Sequence, residues 1–178
     1  MHRPSLYLGL LAVAVIGSCQ QAPDLTEQEI FQVLNQIIAD RDLPIYGVCQ
    51  TLSPLQLTGE CAREFNAEDQ YFIATQIERF KTLKIKPNSL YWRPRNGDTI
   101  IPIDVSPTCD SELIYRLSLP LISADRTKVL IEIVEDCNCM LGGQGGKHLY
   151  VKEQGHWVKR KTFDSWISCL MSDSPPPI

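Results

Sequence analysis

The densest group of reactive side chains in the sequence is Cys137-Asn138-Cys139-Met140. Two thiols and a thioether this close suit a soft ion such as Cu(I). His148 and His156 are the candidate further ligands across the segment that follows. The same two thiols also fit a redox dithiol, which needs an exposed thiol of lowered pKa. Glu135 and Asp136 sit beside them, and a neighbouring negative charge disfavours the thiolate. The remaining reading is structural: Cys137 and Cys139 share strand parity and serve as half-cystines. The structural reading is the one expected here, with no metal and no cofactor.

Gly142-Gly143-Gln144-Gly145-Gly146-Lys147 invites comparison with a phosphate-binding loop. Such a loop has four residues between its first glycine and the Gly-Lys pair, then Ser or Thr. Here the spacing from Gly142 is one short, and His148 follows Lys147. The run is therefore expected to be a flexible turn between strands, with backbone amides that at most hold a small anion. Hydrolytic chemistry has little to nominate it. The sequence lacks Gly-x-Ser-x-Gly and His-Glu-x-x-His. Glu132 lies on the other strand parity from Glu135, so these carboxylates are not set up as an acid–base pair. No catalytic residue is nominated. An enzyme with its site near the Gly142–Gly146 loop and the two histidines stays open as an alternative, as does metal handling by Cys137, Cys139 and Met140.

A basic, aromatic-bearing stretch contains Arg79, Lys81, Lys84, Lys86, Arg93 and Arg95, with Tyr91 and Trp92 between them. Tyr91, Trp92, Arg93 and Arg95 form the candidate binding surface, suited to an anionic surface, a glycan or a protein. The plainer reading is a solvated helix face that runs into an edge strand, with Trp92 partly packed. The 178 residues are 44% hydrophobic and 21% charged, with net charge −4. This balance excludes a collagen-like or wholly disordered chain and argues against a general nucleic-acid binder.

Residues 1–19 read MHRPSLYLGLLAVAVIGSC. A short basic start, an apolar run from Leu6 to Ile16 and small residues make the pattern of a secretory leader. The run is shorter than the ~20 residues that span a bilayer. Ile16-Gly17-Ser18-Cys19 resembles the lipobox of bacterial lipoproteins. That resemblance implies cleavage before Cys19, acylation of Cys19 by palmitate-like chains, and a membrane-held cell-envelope protein. Two or more acyl chains anchor stably where one does not. Gln20, rather than Asp, follows Cys19, and the resemblance then implies the outer membrane if the cell is diderm. Loss of residues 1–18 leaves 160 residues, with 16 basic side chains against 21 acidic and a net charge of −5.

Setting Cys19 aside leaves Cys49, Cys61, Cys109, Cys137, Cys139 and Cys169. An even number in an exported chain points to disulfides. The nearest pair in sequence, Cys49 and Cys61, is expected to form a local bridge. Cys109 and Cys169 are then expected to meet Cys137 and Cys139.

These side chains need a scaffold. Residues 26–41 are predicted helical, with a Thr26/Glu29 capping box and Ile30, Val33, Leu34, Ile37 and Ile38 on one face. Residues 45–65 read as a disulfide-pinned loop. A second helix is predicted from Asn66 to Leu83, capped by Asn66 with Asp69 three residues on. Asn96-Gly97 signals a hairpin between Leu90–Arg93 and Thr99–Ile103, and Pro94 and Pro102 mark those segments as edges. Further strands are predicted at 113–119, 128–136, 148–152 and 157–160. The character of 163–170 stays open.

The expected architecture is α+β: two N-terminal helices packed on an antiparallel β-meander, stabilised by disulfides. The segment from Ser118 to Trp157 is similar to small uncharacterised bacterial lipoproteins, and the arrangement is similar to cystatin-like and nuclear-transport-factor-like folds. The expected organisation is a signal peptide at 1–18, a lipidated tether at 19–23, one domain at 24–171 and a proline-rich tail at 172–178. The expected role is a non-enzymatic binding or structural module of the envelope. Its expected partners are the membrane, through the anchor, and an envelope protein or glycan, without nucleic acid.

Overall fold

The computed structural model describes residues 24–39, 47–93, 99–109, 113–137 and 142–168. Helix α1 spans Glu27–Ala39. Its start carries the expected capping box: the Thr26 N–H donates to Glu29 Oε2 at 2.7 Å, and the Glu29 N–H donates to Thr26 Oγ1 at 3.2 Å. Ile30, Leu34, Ile37 and Ile38 are buried on one side. A short helix α2 spans Gly59–Ala62. Helix α3 spans Ala67–Phe80, with Asn66 and Asp69 satisfying each other's backbone N–H groups. Asp69 is buried and also accepts from the Ala124 N–H at 2.9 Å, so the cap ties α3 to the turn at 123–127.

Nine strands follow: β1 Gly47–Cys49, β2 Tyr91–Trp92, β3 Ile101–Pro102, β4 Asp104–Ser106, β5 Leu113–Leu117, β6 Leu121–Ile122, β7 Lys128–Cys137, β8 Gln144–Glu153 and β9 His156–Ile167. β2 and β3 form a separate antiparallel ribbon with Trp92 opposite Ile101. The hairpin residues Asn96 and Gly97 lie outside the described residues. The other seven strands form one sheet in the order β4-β1-β5-β7-β8-β9, with β6 also paired to β7.

The fold is α+β, as expected, but it is mostly sheet, and helices on a meander describes it poorly. β5, β7, β8 and β9 are antiparallel neighbours. β1 runs parallel to both β4 and β5, which makes the sheet mixed. Residues 45–65 were too poor in alternation to reveal β1, which has only three residues. Parallel pairing needs a long crossover, and α2, α3 and the β2–β3 ribbon occupy the chain between β1 and β4.

Helices cover both faces of the sheet. Val129, Ile131 and Ile133 of β7 pack with Ile30, Leu34, Ile37 and Ile38 of α1. Leu130, on the opposite strand parity, packs with Leu121 and Leu149 against Cys61, Phe65 and Ile73. β7 is therefore buried on both sides, and its 128–136 run reads as continuously apolar where the two layers meet. Each such side chain contributes ~1.5–3 kcal/mol through burial.

The disulfide departs from the expected local bridge. Cys49 is bonded to Cys109, 60 positions away, with Cα atoms 4.9 Å apart. The parallel register explains it: Cys49 lies opposite Ser106, and the chain turns back at Cys109, whose φ is 57°. Cys61 is buried in the apolar layer as a free thiol. The expected bridges from Cys109 to the Cys137/Cys139 pair are thereby overturned. Cys19, Cys139, Met140 and Cys169 lie outside the described residues.

The glycine run is corrected too. Gln144, Gly145 and Gly146 are the first residues of β8, paired to β7 at Glu135, Val134 and Ile133. A phosphate-binding turn at this point is excluded by that pairing. The tight turn lies one hairpin later, at Gln154-Gly155, where both residues have positive φ (49° and 87°), as a two-residue hairpin turn requires.

Candidate ligand groove

Trp157 donates its indole N–H to Gln36 of α1 at 2.9 Å, which seats the helix across one end of the β7–β8–β9 surface. Farther along the strands the same surface opens into a groove of about 1020 Å³. Ile133, Tyr150 and Trp157 line it and are nearly buried. The polar lining comes from strand register. Directly opposite residues in an antiparallel sheet point to one face. His148 stands opposite Ile131 on β7 and Thr162 on β9, Gln144 stands opposite Glu135, and Lys159 stands opposite Tyr150.

These groups are arranged by one another. His148 Nδ1 lies 3.1 Å from Thr162 Oγ1. Glu135 Oε2 accepts from Gln144 Nε2 at 2.9 Å and from the Tyr115 hydroxyl at 3.2 Å. Glu135 is thus held by donors on both neighbouring strands. His156 pairs with Glu153, five positions along β8 from His148, which separates the two histidines by ~16 Å. They do not converge on one atom. Among the described residues no group of three or more His, Cys, Asp or Glu side chains is placed to hold a metal ion.

Trp166 borders the far end of the groove and is 42% exposed, but it stands opposite Gly145 and so places its ring on the other face of β8 from Gln144 and His148. A Cβ on Gly145 would meet Trp166 Cε2, Cζ2 and Nε1, each at 3.0 Å. Equal distances to three successive ring atoms mean that the indole lies face-on over the glycine. Gly143 is needed for a related reason: a Cβ there would come within 2.6 Å of the Glu135 carbonyl oxygen. The glycines are therefore a seat for an aromatic ring, a known way to stabilise glycine in strands. Ile167, the next residue, is 75% exposed.

Charge on these strands is mostly paired. Lys147 Nζ lies 2.7 Å from Asp164 Oδ2, and that hydrogen bond raises the Lys147 pKa above its usual value. Arg160 pairs with Glu153, and Lys161 pairs with Glu64. Lys152 stands over the Trp157 ring, 5.5 Å from its centre. Lys159 is exposed in the groove and has no ion-pair partner among the described residues. Cys61 lies in the layer beneath the other face, where burial pushes its thiol pKa up, away from nucleophilic behaviour.

The surface expected at Tyr91, Trp92, Arg93 and Arg95 looks different in three dimensions. The Tyr91 N–H donates to Asn35 of α1 at 2.8 Å, and the Tyr91 hydroxyl donates to the Asn88 carbonyl. Trp92 is half-buried against the α1 layer. Arg93 is exposed, and Arg95 lies outside the described residues. Nearby cations are matched by acids: Arg79 with Asp24 at 3.4 Å, Lys81 with Glu78 and Lys86 with Glu27, both at 3.3 Å. The aromatic pair serves mainly to close the ribbon onto α1.

Glu135, Gln144 and Thr162 escaped the sequence reading as a group. One signal was available. Gln144 is separated from Glu135 by the span of a hairpin, and alternation from there would have aligned His148. Trp166 was hidden because 163–170 has no clear period.

No helix among the described residues is long and apolar enough to cross a membrane. Comparison with protein-family models, with curated proteins and with solved structures finds no match.

Proposed function

We propose that this protein is an exported lipoprotein, acylated at Cys19, whose domain binds a component of the cell envelope in the groove beside α1. The observation that carries the reading is the groove itself. It is a concave surface of about 1020 Å³ with an apolar floor and a few oriented polar groups, the usual build of a ligand site. Two further features support the setting. The leader ends in Ile16-Gly17-Ser18-Cys19, and the Cys49–Cys109 bridge suits an oxidising compartment. Only four residues separate Cys19 from Asp24, a reach of ~17 Å at full extension. The domain would therefore work close to the membrane, on the envelope side to which the anchor is delivered.

A second reading is an enzyme of unrecognised type, favoured by one contact, the Thr162–His148 pair. It has a hydroxyl beside an imidazole, the beginning of an activated nucleophile. Among the described residues that line the groove, Glu135 is the one carboxylate, and it is engaged by Tyr115 and Gln144 instead. Binding is the reading favoured here.

The test uses cells that express the full chain. A clickable palmitate analogue should label the protein, and Cys19→Ala should abolish the label and release the chain from the membrane fraction. A photo-crosslinking residue at Thr162 should yield an envelope adduct that the same residue at Glu68, on α3, does not. Absence of acylation, or equal adducts from both positions, overturns the proposal.

A further inference from the structure

We infer that residues 169–178, which follow β9 and lie outside the described residues, double back along the groove as a strap that an incoming ligand must displace. This rests on the reading of the groove as the ligand site and names what regulates access to it.

The first argument is Ile167. It stands opposite Gln144 at the far end of the groove, on the face that also carries His148 and Tyr150. It is 75% exposed, the most exposed large apolar side chain among the described residues. Covering it removes apolar surface from water, which is favourable. Leu170 and Met171 come three and four positions later, so the strap brings its own apolar side chains to the mouth of the groove.

The second argument is reach. Lys159 stands opposite Tyr150 and Ile167 opposite Gln144, six positions apart on β8, which separates them by ~20 Å. Asp173 is six positions beyond Ile167 and extends up to ~20 Å from it. The long Lys159 side chain makes up what the reversal at the start of the strap consumes. Residues 174–178 add up to ~17 Å, which carries the strap on toward Trp157.

The third argument is charge complementarity. Lys147, Arg160 and Lys161 are paired with acids, and Lys152 is placed over a ring. Lys159 is left in the groove without an acidic partner among the described residues. Residues 169–178 carry one charged side chain, Asp173, and its carboxylate gains a charge-assisted hydrogen bond from Lys159. An exposed pair of this kind is weak by itself. A tethered segment, however, meets its site at an effective concentration on the order of mM, so weak contacts suffice to hold it.

Backbone chemistry selects a strap over an added strand. Pro175, Pro176 and Pro177 lack the N–H groups that a ladder needs. They favour the extended polyproline II form, which requires no partner strand and loses little freedom when it docks. The edge strand β9 is also blunted against strand addition. It carries Lys159, Arg160 and Lys161 in succession, and its register to β8 shifts twice.

The test treats the full chain, purified in detergent, with a zero-length carbodiimide. The reagent activates the Asp173 carboxylate, a lysine amine in contact displaces it to form an amide, and the reagent leaves as its urea. Peptide mapping should find the Asp173–Lys159 amide within the monomer, at least fivefold above Asp173–Lys161. Lys161 is also exposed and lies closer to Ile167 along the strand, but it stands opposite Leu149, which packs in the layer on the other face. In cells, removal of residues 172–178 should raise the envelope adduct from Thr162 at least threefold, and Asp173→Lys should raise it too. Both changes lie outside the described residues and should leave the melting temperature unchanged. Absence of the Lys159 amide, equal amide at Lys161, an amide found only between two copies, or an adduct unmoved by the truncation overturns the inference. If the adduct forms but ignores the truncation, the groove reading stands and the strap falls. A Lys159 amide without any Thr162 adduct keeps the strap in the groove and removes the ligand reading.

Discussion

Trp166 and Gly145 form a contact in which each residue makes sense only in the presence of the other. The 3.0 Å spacing to an added Cβ leaves the ring no room to stay where it is. Gly145→Ala is therefore expected to cost ~1–3 kcal/mol, the usual range for overpacking, and to shift the tryptophan emission as the indole is displaced. Denaturant unfolding measures the first effect and fluorescence the second. Adding Trp166→Ala should relieve the strain, so that the double variant loses less than the sum of the single changes. Additive losses would mean that the ring does not rest on the glycine. Gly143 has a different neighbour, the Glu135 carbonyl, which is backbone and cannot rotate away. Two glycines that look alike in sequence are thus required by a side chain in one case and by a neighbouring strand in the other.

Among the elements, β6 shows how a two-residue strand survives in the core. It pairs with β7 on one side, and α3 supplies what the other side lacks. The buried Gln76 amide donates to the Ile122 carbonyl and accepts from the Ile122 N–H, the latter at 3.2 Å. A glutamine side chain here replaces a missing strand. Gln76→Leu keeps the volume but leaves two buried backbone groups unpaired, and should cost ~1–3 kcal/mol per unsatisfied group at most. Urea unfolding would detect it as a lower midpoint without a change in slope. Gln76 was legible as part of the α3 stripe, since it recurs at helical spacing with Phe72, Ile73 and Phe80. Its chemical task was not legible, because the partner lies 46 positions away. The same contrast separates the helix starts from the sheet. Thr26 with Glu29 and Asn66 with Asp69 are three-residue motifs, readable locally, and both are found in place.

At the scale of the whole molecule, the Cys49–Cys109 bridge joins the two parallel strands β1 and β4 at one border of the sheet. Closing a loop of this length stabilises a chain by ~4 kcal/mol in the chain-entropy view, with measured values commonly ~2–4 kcal/mol. Replacing both Cys49 and Cys109 by Ser should lower unfolding free energy by that amount. Reductant should destabilise the parent chain similarly and leave the double variant unchanged. Insensitivity of the parent to reductant would show that the bond is not formed in the folded protein. The groove lies at the opposite border, on β8 and β9, so ligand binding should survive the double substitution wherever the domain stays folded.

What the amino-acid sequence determined by itself is local: two capped helices, the β7 strand, the β8–β9 hairpin and the α+β class. Each depends on spacings of a few residues, where chain geometry alone decides which side chains meet. What only the tertiary structure decided is non-local. Which cysteines bond followed from a parallel register between β1 and β4. Whether the glycines formed a loop or a strand followed from β7 and Trp166. Which polar groups share a surface followed from pairing across three strands. Such contacts are chosen by the packing of the whole chain on its two apolar layers, and no short window of sequence contains that information.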